Sequence, residues 1–292
     1  MTPEGSGNPP LGPLFFLSDY GLADEFVGVV HAVVARLAPG VPVVDLTHQI
    51  PPFDVSAGAA ALARSAPSLG PGVVLAVVDP GVGTVRRPIA LEAAGSGPRF
   101  WVGPDNGLLV AGAEAGGPVV GAWELRAPPP RGTGTTFDGR DLFAPAAAAL
   151  VAGAPPGTVG RPVAVDGVVR LPRPLLELTG GVGDWTLRVE VTWVDRFGNV
   201  QLAAGPDELA GLRPDRAAEM VVSTESAPGS TWPVRPVRAF AELDPGELGL
   251  LADANGRLAL VESEAPAARR IGVGPGSVVR LGPAPPVGPP SR

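Results

Sequence analysis

The residues best suited to chemistry in this chain are acids that end short apolar runs. Asp19, Asp45 and Asp79 each stand at the end of a run with the composition of a buried strand. Open α/β sheets bind ligands beyond the carboxyl ends of their parallel strands, so acids at these positions are candidate binding or catalytic groups. A carboxylate there can accept hydrogen bonds, and an ionised one can also hold a cation.

Two later segments combine acids with turn residues. Segment 136–141 reads TFDGRD, and on its own this composition favours a turn with an N-cap before the apolar helix that follows. Segment 195–199 reads DRFGN, which on its own indicates a hairpin turn after an alternating strand. Local structure is therefore a sufficient explanation of either segment taken alone.

Several enzyme classes are excluded or disfavoured. The segment GVGTVR after Asp79 fails as a dinucleotide fingerprint because Arg86 stands where the third glycine is needed, and GxxxxGK[ST], HExxH and GxSxG do not occur. The absence of cysteine excludes disulfides and a thiol nucleophile. Two histidines are too few for a histidine-rich zinc site. We interpret His31, within a predicted helix, as structural, and we predict no metal site.

Acids at strand ends leave two alternatives open. They could hold Mg²⁺ in a phosphohydrolase with an aspartate nucleophile, but the first strand lacks the paired aspartates of such a site. A structural α/β protein without catalysis is the other alternative. Insensitivity of any activity to chelators would exclude the metal-dependent enzyme.

The first part of the chain alternates strand-like and helical segments. Predicted strands cover 14–17, 41–45, 73–78 and 100–102, and predicted helices cover 26–37, 55–65 and 143–151. This alternation predicts an N-terminal α/β domain with a largely parallel central sheet. We assign it residues 14–179, after a flexible tail at 1–13.

The second part shows almost no helical periodicity. Short strand candidates cover 185–194, 220–223, 248–251, 258–262 and 277–281. Strands at this spacing predict a smaller, antiparallel, β-barrel-like C-terminal domain, to which we assign residues 180–281. A Pro-rich tail follows at 282–292.

Composition limits the partners and the compartment. The 292 residues carry a net charge of −7, and the 22 basic residues, all arginine, are spread along the chain. Phosphate-backbone binding needs clustered positive charge, so we expect no nucleic-acid partner. The chain has no signal-peptide pattern and no unbroken apolar run of about 20 residues, so we expect a soluble, cytoplasmic protein with no membrane partner.

Six blocks in a fixed order give a more specific indication. They are SDYG at 18–21, HQIPPFDV at 48–55, VDPGVGT at 78–84, GPDNGL at 103–108, TFDGRD at 136–141 and DRFGNV at 195–200. Over roughly residues 14–281 the chain resembles the S-adenosyl-L-methionine hydroxide adenosyltransferase family, the hydrolases related to fluorinase and chlorinase.

This resemblance implies an α/β domain, a β-barrel-like domain, and a homotrimer with each site between two subunits. It also implies a reaction without metal or other cofactor. Water or hydroxide attacks C5′ of S-adenosyl-L-methionine in line with the sulfonium and releases adenosine and L-methionine.

The resemblance also implies roles for single residues. Asp79 and Arg86 match groups that orient the water, and Asp138 takes the third such position. Asp19 matches the acid that accepts the ribose hydroxyls, Asn199 the amide that reads adenine, and Asp195 the acid that holds the methionine ammonium. The remaining matches are pocket or substrate contacts: Phe53, Thr136, Phe137, Phe197 and Ala254.

The chain departs from the family pattern at key positions. Asp138 stands where the hydrolases carry histidine, Ala254 where serine is usual, and Ser263 where asparagine is usual. We expect the Asp79 and Asp138 carboxylates to lie close together, so that one can act as general base. A binding protein with little or no turnover is the alternative. Halogenation ranks lower, because halogenases have tyrosine in place of Asp79 and carboxylates repel a halide.

Overall fold

The protein forms two compact units. The computed structural model describes residues 11–126, 136–212, 220–225, 227 and 229–284. The chain divides between Leu171 and Pro172. Most of the two predicted tails, 1–13 and 282–292, lies outside the described residues.

The first unit is built on a seven-stranded sheet. Its strands are β1 (Leu14–Ser18), β2 (Val43–Thr47), β3 (Val73–Val77), β4 (Pro88–Ala93), β5 (Phe100–Pro104), β6 (Val119–Leu125) and β7 (Gly160–Val163). Their order is β2-β1-β3-β5-β4-β6-β7. The first four strands in this order are parallel, and β4, β6 and β7 continue the sheet in antiparallel pairings. The expectation of a largely parallel central sheet is confirmed.

Helices cover both faces of this sheet. They are α1 (Phe26–Leu37), α2 (Val55–Ser65), α3 (Val110–Gly116), α4 (Ala144–Val151) and the short α5 (Pro156–Val159). Alternate residues of β3 serve opposite faces: Val73 and Leu75 pack with α1 and α4, whereas Val74 and Ala76 pack with α2 and α3. This period of two on a fully buried strand explains why β3 is apolar throughout.

The second unit is a closed barrel. Its strands are β8 (Leu176–Gly181), β9 (Asp184–Val194), β10 (Val200–Leu202), β11 (Met220–Thr224), β12 (Thr231–Pro236), β13 (Leu248–Ala252), β14 (Leu258–Glu262) and β15 (Val278–Pro283), and α6 (Ala267–Ile271) follows β14. Pairing of β10 with the C-terminal part of β9 closes seven strands, and β8 pairs with the N-terminal part of β9 on the edge opposite β15. The predicted barrel is confirmed. One pairing, β12 with β13, is parallel, whereas we expected only antiparallel strands.

Candidate active site

The carboxyl ends of β1 and β3 bring two acids to one edge of the sheet. Ser18 pairs with Val77 in the parallel register, and the Asp19 N–H donates to the Val77 carbonyl at 3.3 Å. Asp79 follows β3 by two residues. Parallel pairing therefore places Asp19 and Asp79 beyond the same sheet edge, where this class of sheet binds ligands.

Arg86 joins Asp79 to Asp138. Its Nε donates to Asp79 Oδ1 at 2.8 Å, and its Nη2 donates both to Asp79 Oδ2 and to Asp138 Oδ2, the latter at 2.5 Å. Only 6% of the Asp79 side chain, 12% of the Arg86 side chain and 22% of the Asp138 side chain is exposed. The structure thus brings together the three residues predicted to be catalytic.

The two carboxylates of this trio keep the Arg86 guanidinium protonated. Burial lowers the pKa of Arg86, but hydrogen bonds and the charges of Asp79 and Asp138 outweigh burial, so the pKa is raised above its usual range. The guanidinium also lies over the Phe143 ring, 5.1 Å from its centroid. Arg86 is therefore a permanent cation, and with both carboxylates ionised the trio has a net negative charge.

A wide helical turn positions Asp138. Residues Gly139–Phe143 form a π-helix that leads directly into α4, and Asp138 stands at its N-cap position. The Asp138 side chain makes no capping hydrogen bond and extends instead to Arg86. The N-cap position expected from the sequence is therefore present, while the carboxylate is committed to the ion pair.

These acids border a small cleft of about 280 Å³. Besides Val77 and Val82, it is lined by the following residues: Asp19, Tyr20, Phe26, Pro52, Phe53, Asp79, Thr136, Phe137, Asp138 and Gly139. Three carboxylates thus face one cleft with apolar walls. Such a site favours a cationic ligand that also carries hydroxyl donors.

Three rings form one wall of the cleft. Tyr20, Phe26 and Phe137 contact one another with centroids 5.1 to 5.7 Å apart, two of the pairs edge to face. Burial, followed by the charges of Asp19, Asp79 and Asp138, raises the pKa of the Tyr20 hydroxyl well above its usual range. Tyr20 therefore stays a neutral phenol. The sequence reasoning did not assign Tyr20, Phe26 or Gly139 to the site, although Tyr20 is adjacent to Asp19.

Phe53 contributes to the site through its backbone and its ring. The Phe53 N–H donates to Asp19 Oδ2 at 2.9 Å, and the residue has a φ of 69°, in the left-handed region that residues other than glycine seldom adopt. The side chain is 70% exposed. The backbone bond occupies part of the acceptor capacity of Asp19, and its second oxygen, Oδ1, remains for a ligand.

The other predicted site residues lie in the second unit, in two similar turns. Between β9 and β10, Asp195 Oδ1 accepts from the N–H groups of Phe197 and Asn199, both at 2.9 Å, and Oδ2 accepts from Asn199 Nδ2 at 2.7 Å. Gly198 has a φ of 86°, and a Cβ there would lie 2.4 Å from Pro266 Cβ. The hairpin turn expected from the sequence is confirmed.

The turn that contains Ala254 has the same construction. Between β13 and β14, Asp253 Oδ1 accepts from the N–H groups of Asn255 at 2.8 Å and Arg257 at 2.9 Å. Gly256 has a φ of 71°, which matches the left-handed glycine of the first turn. Each turn is therefore fixed by one aspartate, and neither depends on a bound ligand for its shape.

The fold and the cleft define a two-domain protein, an α/β unit with an acidic, aromatic-walled cleft followed by a β-barrel. Residues 14–160 match the SAM hydroxide adenosyltransferase N-terminal domain, and residues 189–280 match the corresponding C-terminal domain. The chain belongs to the SAM hydroxide adenosyltransferase family.

Individual relatives agree with this assignment. The (R)-S-adenosyl-L-methionine hydrolase of Salinispora tropica is 45% identical over 270 residues, which cover 91% of this chain and 96% of the relative. The fluorinase of Nocardia brasiliensis is 31% identical over 288 residues, which cover 89% and 92%. The crystal structure of an uncharacterized conserved protein from Thermotoga maritima superposes with a TM-score of 0.80 at 31% identity and covers 92% of this chain and 99% of that one.

We compared the helices of the described residues with the length and apolar character of a membrane-spanning helix. Across those parts of the chain, no helix combines the length and the apolar character needed to cross a bilayer.

The close approach of Gly139 to Tyr20 gives a testable prediction. A Cβ on Gly139 would lie 2.1 Å from the Tyr20 hydroxyl oxygen, so Gly139→Ala must displace that ring or the Asp138 backbone. A displacement of this size near reacting groups costs on the order of 10- to 100-fold in kcat/KM. Steady-state kinetics with the compound for which the hydrolase relatives are named measures the effect.

The matched control removes the atom that causes the clash. In a Tyr20→Phe background the nearest obstacle to the new methyl group moves from 2.1 Å to the ring carbon at 3.2 Å. Gly139→Ala should therefore cost clearly less in that background than in the wild type. Equal costs in both backgrounds would show that the hydroxyl is not the constraint.

Proposed function

We propose that this protein hydrolyses S-adenosyl-L-methionine to adenosine and L-methionine. The observation that carries the proposal is the Asp79–Arg86–Asp138 trio beside an acidic cleft of small volume. Hydrolases named for this substrate are the family relatives with higher identity, 45% against 31% for a fluorinase, which favours hydrolysis over halogenation. They also favour turnover over binding alone.

The step is a substitution at C5′. A water oxygen forms a bond to C5′ while the C5′–S bond breaks, and the bonding electron pair leaves with sulfur, which becomes the neutral thioether of methionine. The water gives up one proton to a carboxylate of the trio. Asp79 and Asp138 are the candidate acceptors because both line the cleft, and Arg86 holds both carboxylates in place.

No metal is needed for this step in our proposal. Sulfur already carries the positive charge and leaves as a neutral group, so a Lewis acid would add little at the leaving atom. The carboxylates favour binding of the sulfonium, but that charge disappears in the transition state, so they give no automatic rate gain. Orientation of the water and its exclusion from bulk solvent must supply most of the acceleration.

The remaining site residues are proposed substrate contacts. Asp19 Oδ1 accepts from a ribose hydroxyl, and Phe53, Thr136 and Phe137 form the walls of the cleft in the first unit. In the second unit we propose that Asn199 binds adenine, that Asp195 binds the methionine ammonium, and that Phe197 and Ala254 contact the substrate. One N–H of the Asn199 amide donates to Asp195 Oδ2, so its second N–H and its Oδ1 acceptor are the groups left for adenine.

The main test is incubation of purified, chelator-treated protein with S-adenosyl-L-methionine, with chromatographic detection of adenosine and methionine. Because the relatives are named for the (R) compound, the two sulfonium epimers are assayed separately. Equal release of both products is expected. Asp79→Asn keeps the size of the side chain but removes a proton acceptor, so it should lower kcat on the order of 100- to 10,000-fold. Absence of both products from both epimers would refute the proposal.

Substitutions at Asp138 test whether it shares the work of Asp79. Asp138→Asn should lower kcat by about 100-fold or more, whereas Asp138→His keeps a proton acceptor and should stay within about ten-fold of wild type. In the histidine variant the acid limb of the pH–rate profile should move toward about pH 6.5, the ordinary pKa of histidine. Equal activity of both variants and the wild type would remove Asp138 from the mechanism.

We also propose a cytoplasmic homotrimer in which each site combines groups from two subunits. The family resemblance supports the trimer, and the absence of cysteine agrees with a reducing compartment. If sites are shared, coexpressed Asp79→Asn and Asn199→Ala chains that assemble at random should give a population with about a quarter of wild-type activity, because about one site in four then combines the two intact groups, although each variant alone is weak. The mass of the particle in solution gives the subunit number, and mixed particles without recovered activity would contradict shared sites.

A further inference from the structure

A cluster of two histidines and one aspartate lies outside the groups assigned to the reaction. His31 belongs to α1, Asp45 to β2, and His48 to the turn after β2. His31 Nε2 lies 2.8 Å from Asp45 Oδ1, and His48 Nε2 lies 3.0 Å from the same oxygen. One ligand atom from each residue falls within 4.8 Å of the other two. None of the three lines the cleft described above.

These distances fit a first-row transition metal after a small adjustment. Zinc binds imidazole nitrogen and carboxylate oxygen at about 2.0–2.2 Å, which places tetrahedral ligand atoms about 3.4 Å apart. The His–Asp45 separations of 2.8 and 3.0 Å need to open by about half an ångström, and the two histidine nitrogens, which lie within 4.8 Å of each other, need to approach by up to about 1.4 Å. The side chains of His31 and Asp45 are 35% and 42% exposed, so both have room to move and water can reach the site.

The buried member of the cluster has an unused nitrogen. His48 has 3% of its side chain exposed, and its Nε2 has no hydrogen bond of acceptable geometry within the described residues, despite its short distance to Asp45. A buried polar atom without a partner carries a free-energy cost. A hydrogen bond explains the contact between His31 and Asp45, and His48 Nε2 is left with an ion-pair contact to the same oxygen, whereas a metal ion would bind all three groups.

The other ring nitrogen is held in the way that metal-binding histidines require. His48 Nδ1 lies 2.8 Å from Ser18 Oγ, which also accepts from the Tyr20 N–H at 3.3 Å. If Nδ1–H donates to this oxygen, Nε2 carries the lone pair toward the cluster. Phe16 packs against both imidazoles, with its centroid 4.6 Å from His48 and 6.1 Å from His31, and restricts the ring orientations.

We propose that His31, Asp45 and His48 form a binding site for a divalent transition metal of the zinc class. Two imidazoles and one carboxylate leave a fourth position for water, and this ligand set selects Zn²⁺ over Mg²⁺ or Ca²⁺, which prefer oxygen ligands. The expectation of no metal site counted histidines alone and did not include the contribution of Asp45.

The ion would join three parts of the first unit that otherwise meet only through packing and hydrogen bonds. It ties α1 to β2 and, through His48, to the loop after β1, because the Gly21 N–H donates to the His48 carbonyl at 2.8 Å. We therefore assign it a structural role. Binding stabilises the folded state in proportion to the logarithm of the metal concentration, and hydrolysis proceeds without it.

The test uses the full chain without a polyhistidine tag, stripped with chelator and titrated with Zn²⁺, Co²⁺ or Mg²⁺ by calorimetry and thermal unfolding. One Zn²⁺ per chain should bind and raise Tm, Mg²⁺ should not compete, and Co²⁺ should give a visible absorption band. His31→Gln, on the helix surface, should weaken Zn²⁺ binding by about ten-fold or more. Ser18→Ala, which removes the hydrogen bond to His48 and the acceptor of the Tyr20 N–H, should weaken it by about 10- to 100-fold.

Asp166→Asn serves as the matched control, because Asp166 is an exposed acid of the same unit outside the cluster. It should bind Zn²⁺ like the wild type. Failure of Zn²⁺ to bind the wild-type chain, or binding that His31→Gln leaves unchanged, would overturn the proposal. Hydrolysis is measured on the same stripped samples. A loss of metal binding with retained product release, or the reverse, then separates this proposal from the proposed function.

Discussion

The pairing of Arg86 with two carboxylates is the interaction on which the cleft depends. Asp79 and Asp138 belong to segments 59 residues apart in the sequence. Within the described residues, the Arg86 guanidinium is the only group that donates hydrogen bonds to both carboxylates. Without its positive charge, two largely buried acids would face each other and lose their counterion, a change that typically costs several kcal/mol. The loop after β3 and the start of the π-helix would then separate. Contact with the Phe143 ring links the same guanidinium to the core beneath α4.

Sequence patterns predicted the elements whose signals are local. The bounds of α1 and α2 agree with the predicted helices because apolar periodicity and the Pro51-Pro52 break are visible in the chain itself. Strands β4 and β6 and helix α3 were not predicted. Strand β4 starts with Pro88 and helix α3 is rich in glycine and alanine, so tertiary packing determines these elements. The parallel β12–β13 pairing depends on contacts distant in sequence and has no local signal.

The site residues also divide into those with a local sequence signal and those that only tertiary packing brings together. Acids at strand ends were predictable because parallel strands deliver them to one edge, and the two aspartate turns of the barrel follow from ordinary turn chemistry. The aromatic wall was not predictable, since Phe26 lies on α1 and reaches Phe137 only after the helices pack. The convergence of His31, Asp45 and His48 was missed for a similar reason. Helical spacing and strand position place them together, whereas a count of residue types does not.

The π-helix at Gly139–Phe143 separates the residue at position 138 from the packing of α4 against the core. A π-helix holds one more residue than the α-helical path, so residues before it are rotated by about 100° relative to those after it. Asp138 thereby faces Arg86, while the alanines of α4 face the core. A substitution at position 138 therefore changes the cleft while the same surface of α4 stays against the core. Chemistry at the cleft and packing of the core can therefore evolve at separate rates.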